Sequence, residues 1–272
     1  MQIGFDVGAT KIETVVLEES GQEKHRSRIT CPKDYLKTIN TIKDLSHKLE
    51  KEFQKELTIG VCHPGTHSPQ TGLVKNAPNC NWLEKKPFQN DLRKALGKEV
   101  FCENDGNCFA LSEAIDGSGK HYKIVYGIIL GSGAGGGLVI DKQIVSGLNG
   151  VAGEWGHNQI PYFAAKKENF DSNNAREAEV ESFISGLGLA KRFNKIYGKN
   201  LKTSEIFEMY RKHDLDAERF IDEFKLNLAM SLSAIINILD PDAFIFGGGV
   251  SNEIDFLSEI ESIVKKFVIG KE

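Results

Sequence analysis

The pattern of apolar and polar positions along the first part of the chain predicts a sheet followed by a helix. Residues 2–7 and 12–18 are rich in β-branched side chains and flank the short GATK segment, which predicts a hairpin, with residues 22–29 as a third strand. Apolar residues between 36 and 53 then recur every three or four positions. This spacing predicts an amphipathic helix that covers one face of the sheet.

The second half of the chain repeats this plan. A strand, a glycine-rich turn and another strand begin near residue 124, and a long loop region is predicted up to about residue 181. Two halves that each open with a glycine-tipped hairpin predict duplicated α/β domains facing one cleft. The other predicted elements are strands at 57–63, 99–103 and 243–246, the last of them buried, and helices at 87–96, from residue 104 and at 215–239.

Composition narrows the class of protein. The 272 residues are 40% hydrophobic and 26% charged with a net charge of -4, so we expect a globular protein that does not bind nucleic acid. The first residues lack the layout of a secretory signal, and the weakly polar run 126–140 is too short to span a membrane. Five cysteines without a CxxC pair indicate reduced thiols and a cytoplasmic location.

The DVGATK turn is a candidate for contact with phosphate. Gly8 allows a ligand to approach the backbone, and Thr10 and Lys11 add a hydroxyl group and a cation. Asp6 suits Mg²⁺ held through water, because a carboxylate would repel phosphate directly. A glycine in a hairpin is also an ordinary turn residue, so the motif alone does not decide between the two interpretations.

Two further turns are unusually rich in glycine. GSGAGGG (131–137) has five glycines where a hairpin needs one or two, so we expect a ligand to approach its main chain. GGG (247–249) offers a flat surface on which a purine can lie. The alternative for GGG is a strand-to-helix turn with Ser251 or Asn252 as the helix cap.

Polar side chains suited to sugar chemistry occur in two segments and at one helix start. Asn104 or Asp105 can cap the predicted helix; in the functional interpretation Asp105 is a general base and Asn104 contacts a sugar hydroxyl. In GEWGH, Glu154 and His157 carry planar polar groups of the kind that bind sugars, although a solvated loop or half of a metal site would use the same residues. Glu181 begins a predicted helix, where its charge favours the positive end of the dipole.

These motifs together resemble the ROK family (repressor, open reading frame, kinase) of sugar kinases, within the actin-like ATPase superfamily. DVGATK is similar to the family's DxGGTK, and ENDGNCFALSEA to its NDANCxAxxEA. The segment from GSGAGGG to GEWGH resembles its GTGxGxG…AGExGH signature, VCHPG its GIPG segment, and IFGGGVSN its adenosine-side turn. The resemblance implies two ribonuclease H-like α/β lobes with a cleft between them, over residues 1–120 and 121–272.

The resemblance also implies a reaction and a set of site residues. ATP would donate its γ-phosphoryl group to a hexose or hexosamine, at O6, in a protein expected to form a homodimer. Asp105 would be the catalytic base, and Asp6 would hold Mg²⁺ through water. The sugar would be bound by Asn104, Glu154, His157, Glu181, Gly65 and Asn79, and the nucleotide by Asp6, Gly8, Thr10, Lys11, Gly131, Ser132, Gly133, Gly247, Gly248 and Gly249.

The sequence departs from the family pattern at two places. Most relatives carry three zinc-binding cysteines where this chain has Ser172, Asn174 and Glu179, so we expect no structural zinc and a His157 held by hydrogen bonds. Relatives also continue beyond the FVIG equivalent with a strand and a helix that this chain lacks. We therefore expect exposed apolar surface there, which dimerisation would cover.

The identity of the sugar stays open at this stage. NCNWLEKKPFQNDL and GEWGHN favour a fructose- or mannose-type sugar, with N-acetylglucosamine or N-acetylmannosamine as the alternative. A repressor of the family would carry a DNA-binding region before DVGATK, and only five residues precede Asp6, so we expect no repressor. A sugar-binding or sugar-responsive protein without turnover is the alternative from another functional class.

Overall fold

The computed structural model describes residues 1–160 and 175–270, and these form two compact units. The first unit comprises Met1–Cys108 and Ser146–Val151, and the second comprises Phe109–Val145 and Ala152–Glu272. Each contains a mixed sheet with helices, so the α/β class is confirmed. The domain boundary expected at residue 120 stays a prediction, whereas the compact units divide after Cys108, inside a helix.

A five-stranded mixed sheet forms the centre of the first unit. In spatial order it contains β3 (Glu23–Thr30), β2 (Lys11–Leu17), β1 (Gln2–Val7), β4 (Thr58–His63) and β7 (Val100–Asn104). β1 is antiparallel to β2 and parallel to β4, which is parallel to β7. Alternate residues of β1 and β2 are buried, so each strand turns one side toward the core. A separate ladder joins β5 (Thr66–His67) to β6 (Val74–Lys75).

Helices cover the first sheet, as the apolar spacing predicts. α1 (Tyr35–Phe53) begins where Asp34 accepts the N–H of Lys37 at 2.9 Å, and its buried residues lie on one face. α2 (Phe88–Leu96) ends at Gly97, which adopts the left-handed conformation. α3 (Asp105–Ile115) starts directly after β7. Side chains from the sheet and from α1 and α2 form one continuous apolar core in this unit.

The second unit has a four-stranded sheet and a larger share of helix. Its strands, in spatial order, are β10 (Gln143–Ile144), β9 (Ala134–Ile140), β8 (Ile124–Leu130) and β11 (Ala243–Gly247). Its helices are α4 (Glu181–Ile184), α5 (Gly186–Tyr197), α6 (Thr203–Arg211), α7 (Leu215–Leu239) and α8 (Leu257–Val264). α7 is buried along most of its length and packs on α6 and α8 through aromatic side chains. In the described part of the chain, every helix is too short or too polar to span a bilayer.

Three expectations from the sequence are corrected here. β11 was expected to be buried but is half-buried at every position, because it is the outermost strand of its sheet among the described residues. The GGG segment leads into a short 3-10 helix, Ser251–Glu253, rather than an α-helix, and the Ser251 hydroxyl donates to the Gly248 carbonyl at 2.6 Å. The helix expected from residue 104 begins one residue later, at Asp105.

Candidate active site

Two exposed carboxylates lie at the carboxyl edge of the first sheet. β1, β4 and β7 are parallel, so their last residues meet at one edge, which is where open α/β sheets bind ligands. Asp6 is near the end of β1, and Asp105 is the first residue of α3, directly after β7. Both side chains keep access to solvent, and the charge of Asp6 acts on Asp105. The structure therefore brings together the predicted base and the predicted metal-binding acid.

The surroundings of these carboxylates make them stronger bases than ordinary aspartates. Burial by the surrounding protein is the main cause that raises the pKa of Asp105, and the negative charge of Asp6 adds to it. The N–H of Gly106, 3.0 Å from Oδ1, lowers that pKa in part. Burial likewise raises the pKa of Asp6, against a hydrogen bond from the Cys62 thiol. A raised pKa favours a carboxylate that accepts a proton during a reaction.

Asn104 is fixed by the helix that follows it. Its Oδ1 accepts the N–H of Asn107 at 2.7 Å, so the expected helix cap is confirmed at Asn104. Glu103 Oε1 accepts the Asn104 backbone N–H at 2.9 Å and the Asn107 side-chain amide at 3.1 Å. These hydrogen bonds fix the backbone at the junction between β7 and α3, where Asp105 begins the helix. A contact between Asn104 and sugar stays a prediction.

The other predicted residues of the first unit lie in turns. Gly8 donates its N–H to the Lys11 carbonyl at 2.9 Å and closes the hairpin, while Thr10 is exposed. Gly65 has a φ of 79°, and a Cβ there would lie 2.5 Å from the Lys75 carbonyl oxygen. Only glycine fits this position. Asn79 is exposed in the 3-10 helix Pro78–Cys80.

The glycine turn of the second unit packs against the start of a helix. The Gly131 N–H donates to the Gly133 carbonyl at 2.9 Å, which closes the turn between β8 and β9. The carbonyls of Gly131 and Ser132 accept the N–H groups of Gly186 and Leu187, the first residues of α5. These bonds fix the main chain of the turn on the side that faces α5.

Two causes account for the excess of glycine in this unit. A Cβ added at Gly131, Gly135 or Gly249 would meet no atom within 4 Å, so these positions leave open space beside the main chain. Packing explains four of the others. At Gly133 an added Cβ would lie 2.6 Å from Glu181 Oε2, and at Gly136 it would lie 2.7 Å from the Gly127 carbonyl oxygen. At Gly247 it would lie 2.7 Å from the Phe109 ring, and at Gly248 it would lie 2.4 Å from the Leu130 carbonyl oxygen. Packing is thus a sufficient reason for glycine at these four positions, and contact between their main chain and a ligand stays a prediction.

The GEWGH segment is held against β9 by its small and aromatic residues. Trp155 is buried, and its Nε1–H donates to the Gly135 carbonyl at 2.8 Å. A Cβ at Gly156 would lie 2.0 Å from the Ala134 carbonyl oxygen, so the turn touches β9 directly. The Tyr126 hydroxyl donates to the Gly153 carbonyl at 3.0 Å. These contacts fix the backbone that carries Glu154, which is half-buried.

His157 and Glu181 are each engaged by a neighbour. His157 Nδ1 is 2.9 Å from Glu179 Oε2, so the expectation that hydrogen bonding holds His157 is confirmed. Glu181 begins α4, as expected, and its Oε2 accepts the Ala134 N–H at 2.8 Å. Backbone hydrogen bonds also pair residues 158–160 with 178–180, at 2.8 Å for Ile160 N to Ala178 O and for Val180 N to Asn158 O.

The zinc site of the family does not fit these residues. Ser172 and Asn174 lie outside the described residues, and within the described ranges no three His, Cys, Asp or Glu side chains gather as a metal site would require. The replacements are a hydroxyl, an amide and a carboxylate, which bind Zn²⁺ less well than thiolates. The carboxylate of Glu179 instead pairs directly with His157.

Sequence reasoning missed some residues that contact the candidate site. Cys62 lies opposite Asp6 in the register of β4 and β1, and its thiol bonds to the Asp6 carboxylate. Tyr126, on β8, bonds to the turn before Glu154. The buried His63 at the end of β4 forms a pair with His67. In the sequence, the only indication of this pair is that two histidines lie four residues apart on either side of a Pro-Gly turn.

Comparison with known proteins shows the family to which the chain belongs. The ROK family matches residues 2–272. The N-acetyl-D-glucosamine kinase of Histophilus somni (strain 129Pt) is 38% identical over 266 residues, which cover 95% of this chain and 87% of that protein. The ROK hexokinase of Thermus thermophilus superposes with a TM-score of 0.86 at 22% identity, covering 98% of this chain and 88% of that one. A ROK family glucokinase from Streptomyces griseus, in complex with glucose and AMPPNP, has a TM-score of 0.75 at 26% identity, covering 99% and 90%.

The chain therefore belongs to the ROK family, with the fold of the ROK sugar kinases. Within that family it is an enzyme, a sugar kinase. The relatives do not support the expected preference for a fructose- or mannose-type sugar. They favour the alternative, because the similar relatives are N-acetyl-D-glucosamine kinases.

Proposed function

We propose that this protein phosphorylates N-acetyl-D-glucosamine with ATP, at O6. The observation that carries the proposal is the similarity to N-acetyl-D-glucosamine kinases along nearly the whole chain. The exposed acids of the first unit and the open glycine positions of the second supply the chemical groups that such a reaction needs.

In the proposed reaction, Asp105 is the base. The O6 hydroxyl oxygen forms a bond to the γ-phosphorus of ATP, the bond from that phosphorus to the β–γ bridging oxygen breaks, and ADP leaves. Asp105 accepts the hydroxyl proton, and its raised pKa supports this role. Because the transition state of phosphoryl transfer is loose, orienting the hydroxyl matters more than removing its proton early.

The main chain at Gly131 and Gly249 is proposed to face the nucleotide. Open space beside these residues supports a close approach of phosphate to Gly131 and of the adenosine to Gly249. Gly8, Thr10 and Lys11 belong to the same proposal, with a hydroxyl group and a cation for the phosphates. The packed residues Gly133, Gly247 and Gly248 would shape these turns rather than leave room for the ligand.

The acids fit Mg²⁺, a hard cation that prefers oxygen ligands. Asp6 is an exposed carboxylate, and its charge acts on Asp105. Mg²⁺ in kinases is commonly held by one or two carboxylates together with phosphate oxygens and water. Asp6 would hold it through water, and the bound cation would reduce the repulsion among the phosphate oxygens.

The sugar is proposed to contact polar groups whose orientation is already fixed. Glu154 stands on the packed GEWGH turn, His157 is oriented by Glu179, and Glu181 by the Ala134 N–H. Asn104 is held as a helix cap in the first unit. Gly65 and Asn79 complete the proposed set, and such preorganisation reduces the entropy lost when the sugar binds.

A sugar panel tests the proposal. ADP release would be measured with N-acetylglucosamine, N-acetylmannosamine, glucose, mannose and fructose, each with ATP and Mg²⁺. We expect the highest kcat/KM for N-acetylglucosamine and a product phosphorylated at O6, identified by NMR. A higher kcat/KM for any other sugar contradicts the assigned substrate. Absence of turnover, combined with thermal stabilisation by one sugar, would instead indicate a binding protein.

A further inference from the structure

Two histidines of the first unit form a pair, of which His63 is fully buried and His67 half-buried. His63, the last residue of β4, has no exposed surface, and its Nε2 lies 2.9 Å from Nε2 of His67. The ring centroids are 4.6 Å apart at an interplanar angle of 86°, so the rings meet edge to face. Phe88 of α2 packs edge-on against His63 with centroids 5.7 Å apart. The proposed reaction assigns no role to either histidine.

The partners of the pair determine where its hydrogens lie. His63 Nδ1 is 2.9 Å from the Pro64 carbonyl oxygen, which only accepts, so Nδ1 carries the hydrogen. Burial lowers the pKa of His63 to about 4, so at neutral pH the ring is uncharged and its Nε2 is an acceptor. The hydrogen between the rings must therefore lie on His67 Nε2, while the Gly72 carbonyl and the charge of Glu103, which also act on the His67 ring, favour its protonated form against the effect of burial. One N–H joins the two side chains in a region where an unmade hydrogen bond is costly.

This hydrogen bond connects elements that carry candidate sugar-binding residues. His63 lies opposite Asn104 in the register of β4 and β7. His67 belongs to β5, which lies against β7 and pairs with β6, where it faces Val74. The turn between the histidines contains Gly65, which packs directly on the Lys75 carbonyl. Loss of the hydrogen bond through a change at the half-buried His67 would release the turn at the end of β4 and leave the contact between His63 and Phe88 in place.

We infer that the His63–His67 pair is a positioning device for the sugar, which holds the Gly65 turn in register with Asn104. This inference rests on the proposed function, since it assigns the turn to the sugar side of the site. Neither histidine is a catalytic residue, because both act through the backbone that they hold. A pair that only filled space in the core would affect stability, and it would affect the binding of sugar and ATP alike.

Two carboxamide variants of His67 separate positioning from packing. In His67→Gln the amide N–H reaches about the position of Nε2 and can still donate to His63. In His67→Asn the same group is one carbon shorter and falls short of His63. His121→Gln, an exposed position in the second unit, is the matched control. For each protein, KM for N-acetylglucosamine, KM for ATP, kcat and the unfolding temperature would be measured.

We expect His67→Asn to raise the sugar KM about tenfold, and His67→Gln to stay within about threefold of the wild type. The ATP KM should change less than about twofold in both. A sugar KM in His67→Asn equal to that of the wild type overturns the inference, as does an equal rise of both KM values or an equal effect of Gln and Asn.

The same variants distinguish this inference from the proposed function. A wild-type chain that turns over none of the sugars contradicts the proposed function. Positioning is then measured by the rise in unfolding temperature that N-acetylglucosamine causes, which His67→Gln should retain and His67→Asn should lose. A rise that both variants retain, or that both lose, overturns the inference about the pair.

Discussion

The two units carry different kinds of candidate chemistry. In the first unit the reactive groups are side chains: Asp6 and Asp105 stand exposed at strand ends, and their surroundings raise the pKa of both. In the second unit much of the candidate surface is main chain, open beside Gly131, Gly135 and Gly249. The first unit carries carboxylates whose ionisation is disfavoured in the folded state, whereas the second unit has glycines that leave the main chain uncovered.

This difference predicts different responses to mutation. An acid with a raised pKa reduces the stability of the folded state at neutral pH, so its removal should spare the fold and harm the reaction. A packed glycine supports the fold, so its replacement should harm both. Replacement of an open glycine by alanine should leave the stability of the fold unchanged but weaken the binding of a ligand that approaches the main chain there.

Removal of the base in the first unit should have the largest effect. We expect Asp105→Asn to lower kcat about 10³-fold, because the variant cannot accept the hydroxyl proton and orients the hydroxyl less well. Its unfolding temperature should equal or exceed that of the wild type, since ionisation of Asp105 is disfavoured in the folded state. ADP release and thermal unfolding are the measurements. Asp44→Asn, exposed on α1, is the control, and more than a tenth of wild-type turnover in Asp105→Asn would contradict the assigned role.

Replacement of a packed glycine in the second unit should affect folding most. In Gly156→Ala the new Cβ would lie 2.0 Å from the Ala134 carbonyl oxygen, a backbone atom that cannot move cheaply. We expect a loss of about 3 kcal/mol, seen as a fall of roughly 10 °C in unfolding temperature. Gly60→Ala, on β4, has nothing within 4 Å of its new Cβ and should leave the temperature unchanged or slightly raised. Equal temperatures for the two variants would refute the packing explanation.

The buried His63 should make the stability of the first unit depend on pH. Its folded pKa is about 4, below the ordinary value of 6.5, so the unfolded chain binds a proton between these values that the folded protein does not. The free energy of unfolding should therefore fall as the pH is lowered from about 6.5 to 4, by roughly 3 kcal/mol from this group.

His63→Phe removes that contribution. The difference in unfolding free energy between wild type and His63→Phe, measured by denaturant titration at several pH values, should shrink across this window. His67 acts on His63, and the charge of Glu103 acts on His67; both residues are kept in the variant. A difference that is constant from pH 7 to 4 would show that His63 does not stay neutral in the folded protein.

Replacement of an open glycine should have the smallest effect on the protein alone. Gly131→Ala adds a methyl group that meets no protein atom within 4 Å, so the unfolding temperature should stay within a few degrees of the wild type. We expect the ATP KM to rise about tenfold because the methyl group would occupy space proposed for phosphate. An unchanged ATP KM, measured beside Gly60→Ala, would place the nucleotide elsewhere.

Local sequence patterns predicted most elements of the fold. The spacing of apolar residues predicted α1, because burial of one helix face shows directly in a periodic sequence. The β-branched runs on either side of GATK predicted β1 and β2. The position of β11 within its sheet was not accessible in this way. A run of apolar residues is the same sequence pattern in a central strand and in an edge strand, so β11 was wrongly expected to be buried.

The candidate site was predictable in its residues but not in its contacts. Motifs indicated Asp105, Glu154 and the glycine turns, whose roles stay proposals. The distinction between open and packed glycines depends on partners far along the chain, such as Glu181 beside Gly133. The link from Cys62 to Asp6 likewise depends on strand register. Neither kind of partner can be read from a single sequence, because the fold alone brings these residues together.

The pairing of residues 158–160 with 178–180 has a practical consequence for protein engineering. Ile160 and Ala178 are joined by a backbone hydrogen bond of 2.8 Å, and both side chains are buried. A fluorophore attached to either residue would disturb this pairing. The exposed side chain of Gln159, close in sequence to Glu154 and His157, is the better attachment point for a reporter of the proposed sugar binding.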